Sequence, residues 1–235
     1  MTDRYARIRQ ALAHGGEGGM NERPIIMRDW EVRAILAGQK TMIRRVLRIP
    51  PRKLCPVSAQ FSSVKNGVAM FICGTDGALV RCQLGQPGDR LWVRENFYQD
   101  GQWSLRLGCE PDDPRGRFWS GTSRVIFAAD GTPLPDPIPG NQWRFRPSIH
   151  MPRLLSRITL EVTGVRVERL QDISGMDAKR EGVSVPAHLP HDGADLDYAR
   201  REYRRIWQSI NGPGSWDANP WVWVVEFERM KENKA

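Results

Sequence analysis

The run Trp221-Val222-Trp223-Val224-Val225-Glu226-Phe227 constrains this chain more than any other segment. A strand with one solvated face alternates apolar and polar residues. This run is apolar on both faces for most of its length, which predicts a central strand. The other extended runs are shorter. Residues 68–73 and 79–82 are separated by Gly74-Thr75-Asp76-Gly77, which is hairpin chemistry. A turn at Gln86-Pro87-Gly88-Asp89 precedes residues 90–95, where the Leu91/Val93 and Trp92/Arg94 alternation predicts a half-exposed strand. Residues 158–167 form a strand interrupted by Gly164, as a bulge or a bend in a barrel requires.

Helical spacing appears three times. Trp30, Ala34 and Ala37 fall at i, i+4 and i+7, broadened by Val32, Ile35 and Leu36, and Gly38 sits where a helix ends in the left-handed conformation. Residues 170–181 and 197–210 are the other two, the last with Tyr203, Ile206, Trp207 and Ile210 on one face. Strands and helices do not alternate as βαβ units, so the pattern predicts an α+β domain or a small barrel. Residues 99–142 are rich in Gly, Pro and Asp, with one clear strand at 125–128. They read as an insertion into a single domain spanning 23–230. Residues 1–22 read as a flexible basic lead, with Met20 as an alternative start.

With 40% hydrophobic and 26% charged residues the chain should fold. Its 35 basic against 27 acidic residues give a net charge of +8, a field that attracts polyanions such as nucleic acid. Arginine predominates among the cations, and its planar donor fork suits phosphates, base edges and aromatic faces. A GC-rich coding sequence explains the same enrichment without any function. Cys55, Cys73, Cys82 and Cys109 form no C-x-x-C pair and have no nearby His at finger spacing, so they read as buried free thiols; neither a metal nor a cofactor is expected. The amino terminus has no signal-peptide core, and no stretch approaches the ~20 apolar residues that span a bilayer, so a cytoplasmic protein is expected.

The segment Leu36-Ala37-Gly38-Gln39-Lys40-Thr41-Met42-Ile43-Arg44-Arg45 resembles the hallmark of ASCH domains, a Gly-x-Lys followed by Arg, met here by Gly38, Lys40 and Arg45. In order along the chain, Pro87-Gly88-Asp89-Arg90-Leu91-Trp92-Val93-Arg94-Glu95, Arg146-Pro147-Ser148-Ile149-His150-Met151-Pro152, Leu170-Gln171-Asp172-Ile173 and Pro220 to Phe227 also resemble phage and prophage members. The resemblance covers about residues 23–227. It implies a PUA-like small β-barrel flanked by helices, with an inserted β/loop region, and a basic cleft that binds RNA or a modified nucleoside, with single-stranded DNA as a further partner.

Some ASCH proteins are amidohydrolases on N4-acetylcytidine that use a lysine, a threonine three residues later and a glutamate. Carried over by position, the lysine is Lys40 and the glutamate Glu181, while the threonine position holds Ile43, which has no nucleophilic oxygen. Others are reported as ribonucleases, for which His150 with Lys40 or Glu181 would be the acid/base pair. The leading expectation is therefore a binding module, with a hydrolase on the same cleft as the alternative. A phage morphogenesis or host-interaction protein with a vestigial pocket is the third reading.

The cleft is expected to be lined by Gly38, Lys40, Arg44, Arg45, Trp92, Arg94, Glu95, Ser148, His150 and Glu181. Each has a plain structural explanation beside the functional one. Lys40 is a clamp for a phosphate or carbonyl, or a solvated loop lysine. Arg44 and Arg45 are sequence neighbours, so one faces the cleft and the other solvent, a phosphate or an ion-pair partner such as Glu181 or Glu95. Trp92 is a base-stacking surface or core, Glu95 an acceptor for a base or a salt-bridge partner, and His150 with Ser148 a rigid pocket wall or a structural turn.

Overall fold

In the structure, a computed structural model that describes residues 20–48, 60–73, 76–110, 113, 115–190 and 193–231, the apolar C-terminal run becomes strand β11 (Trp221–Arg229). The other strands are β1 (Glu22–Ile26), β2 (Met42–Val46), β3 (Gln60–Lys65), β4 (Val68–Cys73), β5 (Asp76–Arg81), β6 (Arg90–Arg94), β7 (Phe97–Leu105), β8 (Arg117–Phe127), β9 (Gln142–Arg146) and β10 (Thr159–Arg169). Three α-helices accompany them: α1 (Asp29–Leu36), α2 (Gly175–Arg180) and α3 (Ala194–Asn211). The protein is α+β. Its strands form three open sheets, ordered β1-β6-β10-β11-β2, β3-β4-β5 and β8-β7-β9.

As its composition predicts, β11 is internal, antiparallel to β10 on one side and β2 on the other. Val222, Val224, Val225 and Phe227 are almost fully buried. Val222 and Val224 face the helices, joining Met42, Ala178, Ala199, Tyr203 and Trp207 in one core cluster. On α3, Ala199, Tyr203 and Trp207 are spaced four apart and so fall on the inward face. Gly164 sits at the register shift of β10, a bulge that lets the strand bend beside β11. The α1 helix also ends as its sequence predicts, with Gly38 at φ 72, where no side chain is needed and none is strained.

The inserted region departs from expectation. Only residues 125–128 read as a strand, yet β7 and β8 form a long antiparallel hairpin with β9 added to its edge. Their sequences carry Gly, Ser, Thr and Gln in place of alternating apolar residues, so the strand signal is weak. In the β4/β5 hairpin, Gly74 and Thr75 lie outside the described residues, as do residues 1–19, Cys55 and the side chain of Cys73. Of the remaining thiols, Cys82 is a buried free cysteine and Cys109 a partly exposed one.

The chain divides into two compact units. One comprises the chain up to Arg23 with Ala37–Leu91 and Thr159–Ala235; the other comprises Pro24–Leu36 and Trp92–Ile158. No helix among the described residues is long and apolar enough to cross a membrane.

Candidate functional site

Alternation along β2 decides the fate of its two arginines. In a strand, residues paired directly across a ladder point to the same face. Arg44 pairs with Val224, which lies in the helix-covered core, whereas Arg45 pairs with Trp223 on the opposite face. Arg166 of β10 also pairs with Val224 and Glu168 with Val222, so both share the Arg44 face.

On that face the charges lock together. Arg44, with a fully buried side chain, donates to Glu181 Oε1 at 3.2 Å, Glu168 Oε2 at 2.9 Å and Asp177 Oδ2 at 3.0 Å. Lys40 donates to Glu181 Oε2 at 3.0 Å and to the Glu181 carbonyl at 2.8 Å. A backbone β-bridge joins the same two residues, and Thr41 N–H donates to the Arg180 carbonyl at 2.9 Å. Arg166 completes the cluster through Glu168 at 2.5 Å, Asp177 at 3.2 Å and Glu226.

Three cations, Lys40, Arg44 and Arg166, thus meet four carboxylates, Glu168, Asp177, Glu181 and Glu226. Burial opposes the charge on Arg44, but the carboxylates, Glu181 foremost, outweigh it and raise its pKa above the ordinary guanidinium value. A cluster with one more negative than positive charge repels a phosphate. Its chemistry is that of a strut tying the Gly38–Arg45 segment to α2.

Helix α2 presents its part of the cluster by local rules. Ser174 caps it, accepting from Asp177 N–H, and Glu181 at its C-terminal cap is turned back toward Lys40. Sequence reading paired Lys40 with Glu181 but did not find Glu168, Asp177, Arg166 or Glu226. A signal was present only for Glu226, which lies on the strand read as central, where a buried charge requires a partner.

On the other face of β2, Ile43 is buried and Arg45 is exposed. Arg45, Arg48 and Arg81 surround a cavity of about 360 Å³, whose lining among the described residues also includes Trp223, Gln83 and Asn211 and no carboxylate. Its size falls within the ~300–1,000 Å³ of small-molecule sites. Sequence reading named Arg45 here but neither Arg48 nor Arg81.

In the second unit, Trp92, Arg94, Glu95, Ser148 and His150 make contacts of their own. The Arg94 guanidinium lies 5.5 Å from the Trp92 ring and donates to the carbonyls of Ser148, at 3.0 Å, and Ile149. Ser148 N–H donates to Asn96 Oδ1 at 3.0 Å, and His150 is exposed at the end of a 3₁₀ turn. Glu95, fully buried, is gripped at both oxygens by Arg157 at 3.0 Å, and Arg157 also holds Asp130. Burial pushes the Glu95 carboxyl above its usual range against the pull of Arg157. Arg94 and Glu95 are thus engaged in holding their own unit together, while His150 is accessible.

Among the described residues, no group of His, Cys, Asp and Glu could hold a metal ion. Compared with protein-family models, with curated proteins and with solved structures, the chain finds no match.

Proposed function

We propose that this chain is a nucleic-acid-recognition protein of ASCH type, with a PUA-like small barrel, that takes a nucleoside of RNA into the arginine-lined cavity beside Arg45. The observation that carries the proposal is the cavity itself: three arginines and the buried Trp223 around a nucleoside-sized space. Guanidinium forks suit phosphate oxygens and base edges. The bulge in β10 supports the barrel reading, since closing a sheet requires strands that bend. On this reading Gly38, Lys40, Arg44 and Glu181 act as the frame that fixes β2, and Arg45 is the group that meets the ligand.

The test is isothermal titration of the protein with cytidine, N4-acetylcytidine and cytidine monophosphate, comparing wild type with Arg45→Ala/Arg81→Ala, followed by chromatography of the mixtures. Binding that the double variant loses, with the ligand recovered intact, is the expected result. Conversion of N4-acetylcytidine to cytidine would move the conclusion to the hydrolase, despite Ile43 at the nucleophile position. Absence of binding to all three would remove the nucleoside reading and leave a protein partner in its place.

A further inference from the structure

The β8-β7-β9 sheet carries four arginines, Arg117, Arg124, Arg144 and Arg146, against a single carboxylate, Asp100. Asp100 is fully buried and is held by Arg124 at 3.4 Å and by the Ile138 N–H at 3.3 Å. Asp100 pairs with Trp143 and so belongs to the face opposite Arg144. The Arg144 face has no carboxylate of its own.

What faces Arg144 is aromatic. Its guanidinium lies 4.5 Å from the Trp103 ring centroid and 5.4 Å from that of Trp119, and the two indoles meet edge to face at 5.7 Å. The backbone is shaped to allow this: a side chain at Gly101 would strike the Trp119 ring at 3.0 Å and the Ser120 carbonyl at 2.4 Å, so only glycine lets the indole lie across the strand. Trp103 is 48% exposed, a large flat surface open to solvent.

Two residues along the same strand, and so on the same face, Arg146 is half-buried. Its Nε has no hydrogen-bond partner, and no carboxylate among the described residues pairs with it or with Arg144. Burial, and after it the neighbouring charge of Arg144, lowers the pKa of Arg146. A face that holds two like charges together without a counterion is arranged for an anion supplied from outside.

We infer that this face is a stacking platform for single-stranded nucleic acid, with bases laid on Trp103 and Trp119 and phosphates taken by Arg144 and Arg146. A stacked arginine keeps its in-plane N–H donors available while its flat face rests on the ring, so the same group anchors a base platform and a phosphate. Bases in a duplex are already stacked and offer no free face, so a single strand is the fitting form. The platform recognises the strand without regard to sequence, because every base has a π-face. It lies wholly within the second unit and does not depend on the cavity beside Arg45.

The test measures fluorescence anisotropy of labelled oligouridylate and oligothymidylate of about 12 nucleotides, and of a duplex of equal length, across a salt series. The proteins are the full chain, Arg144→Gln/Arg146→Gln and Trp103→Ser, each first checked for an unchanged thermal transition. Wild type should bind either single strand more tightly than duplex. Trp103→Ser should weaken binding roughly tenfold, and the double arginine variant should flatten the slope of log K against log salt by about 1.4. Cytidine binding, if present in the wild type, should persist in both variants, which separates failure of the platform from failure of the nucleoside cavity. Equal or tighter duplex binding, or single-strand binding that neither variant changes, would overturn the inference, as would no binding by the wild type.

Discussion

The Arg44 cluster and the Arg144 face are both rich in arginine, yet the groups opposite those arginines differ. Around Arg44 and Arg166 the partners are carboxylates, and every charge is met within the protein. Around Arg144 the partners are indole rings, which attract the cation without neutralising it. The first arrangement stabilises a fold and offers nothing to a polyanion; the second leaves the positive charge available. The net charge of +8 is therefore a poor guide to where a nucleic acid would sit. The chemistry facing each arginine is the better guide.

The largest expected effect concerns the cluster. Arg44→Met leaves buried carboxylates facing each other with one cation fewer, and should lower unfolding free energy in urea by about 3–5 kcal/mol. Stability lost by less than ~1 kcal/mol would mean that water reaches the cluster and that the contrast with the Arg144 face is overdrawn. Lys40→Ala should cost less, about 1–3 kcal/mol, because Glu181 keeps Arg44 as a partner while losing one charged donor.

The opposite pattern is expected on the sheet. Arg144→Gln/Arg146→Gln should cost no more than ~1 kcal/mol by the same denaturation assay, since the cation–π contacts of Arg144 are lost but no internal ion pair is. A loss comparable to that of Arg44→Met would identify the pair as structural and erase the contrast.

The smallest effect is a pH dependence in the second unit. The folded-state pKa of Glu95 is raised, so between its unfolded and folded values the native state holds a proton that the unfolded chain has released. Stability should rise as pH falls through that window from the neutral side and level off below the unfolded value. Urea midpoints taken from pH 7 to pH 4 should show this component in the wild type and lose it in Glu95→Gln. An unchanged profile in the variant would show that Arg157 holds Glu95 ionised throughout.

Much of the fold was legible because single-segment rules sufficed. The two-faced apolarity of 221–227 placed β11 inside its sheet, Gly38 ended α1, and Gly164 marked the bulge. The β7/β8 hairpin was not legible, because Gly101 and Gly121 interrupt the alternation that would announce it; Gly101, the interruption in β7, is what seats Trp119. At the candidate site, adjacency in a strand meant that Arg44 and Arg45 had to point to opposite sides. Which one was buried depended on the register with β11, information that no single segment carries. Lys40 and Glu181 lie 141 positions apart and came together through a resemblance, whereas the resemblance assigned no role to Asp177 and Glu168, which complete the network.

The most direct test of this division of labour is photocrosslinking. Single-stranded RNA carrying 4-thiouridine would be irradiated with the full chain and the adducts mapped by mass spectrometry. Adducts are predicted on the peptides holding Trp103, Trp119 and Arg144 and on those holding Arg45 and Arg81, with none on the peptides holding Glu168 or Glu181. Adducts concentrated on Glu168 and Glu181 peptides, with the sheet unmarked, would contradict the account.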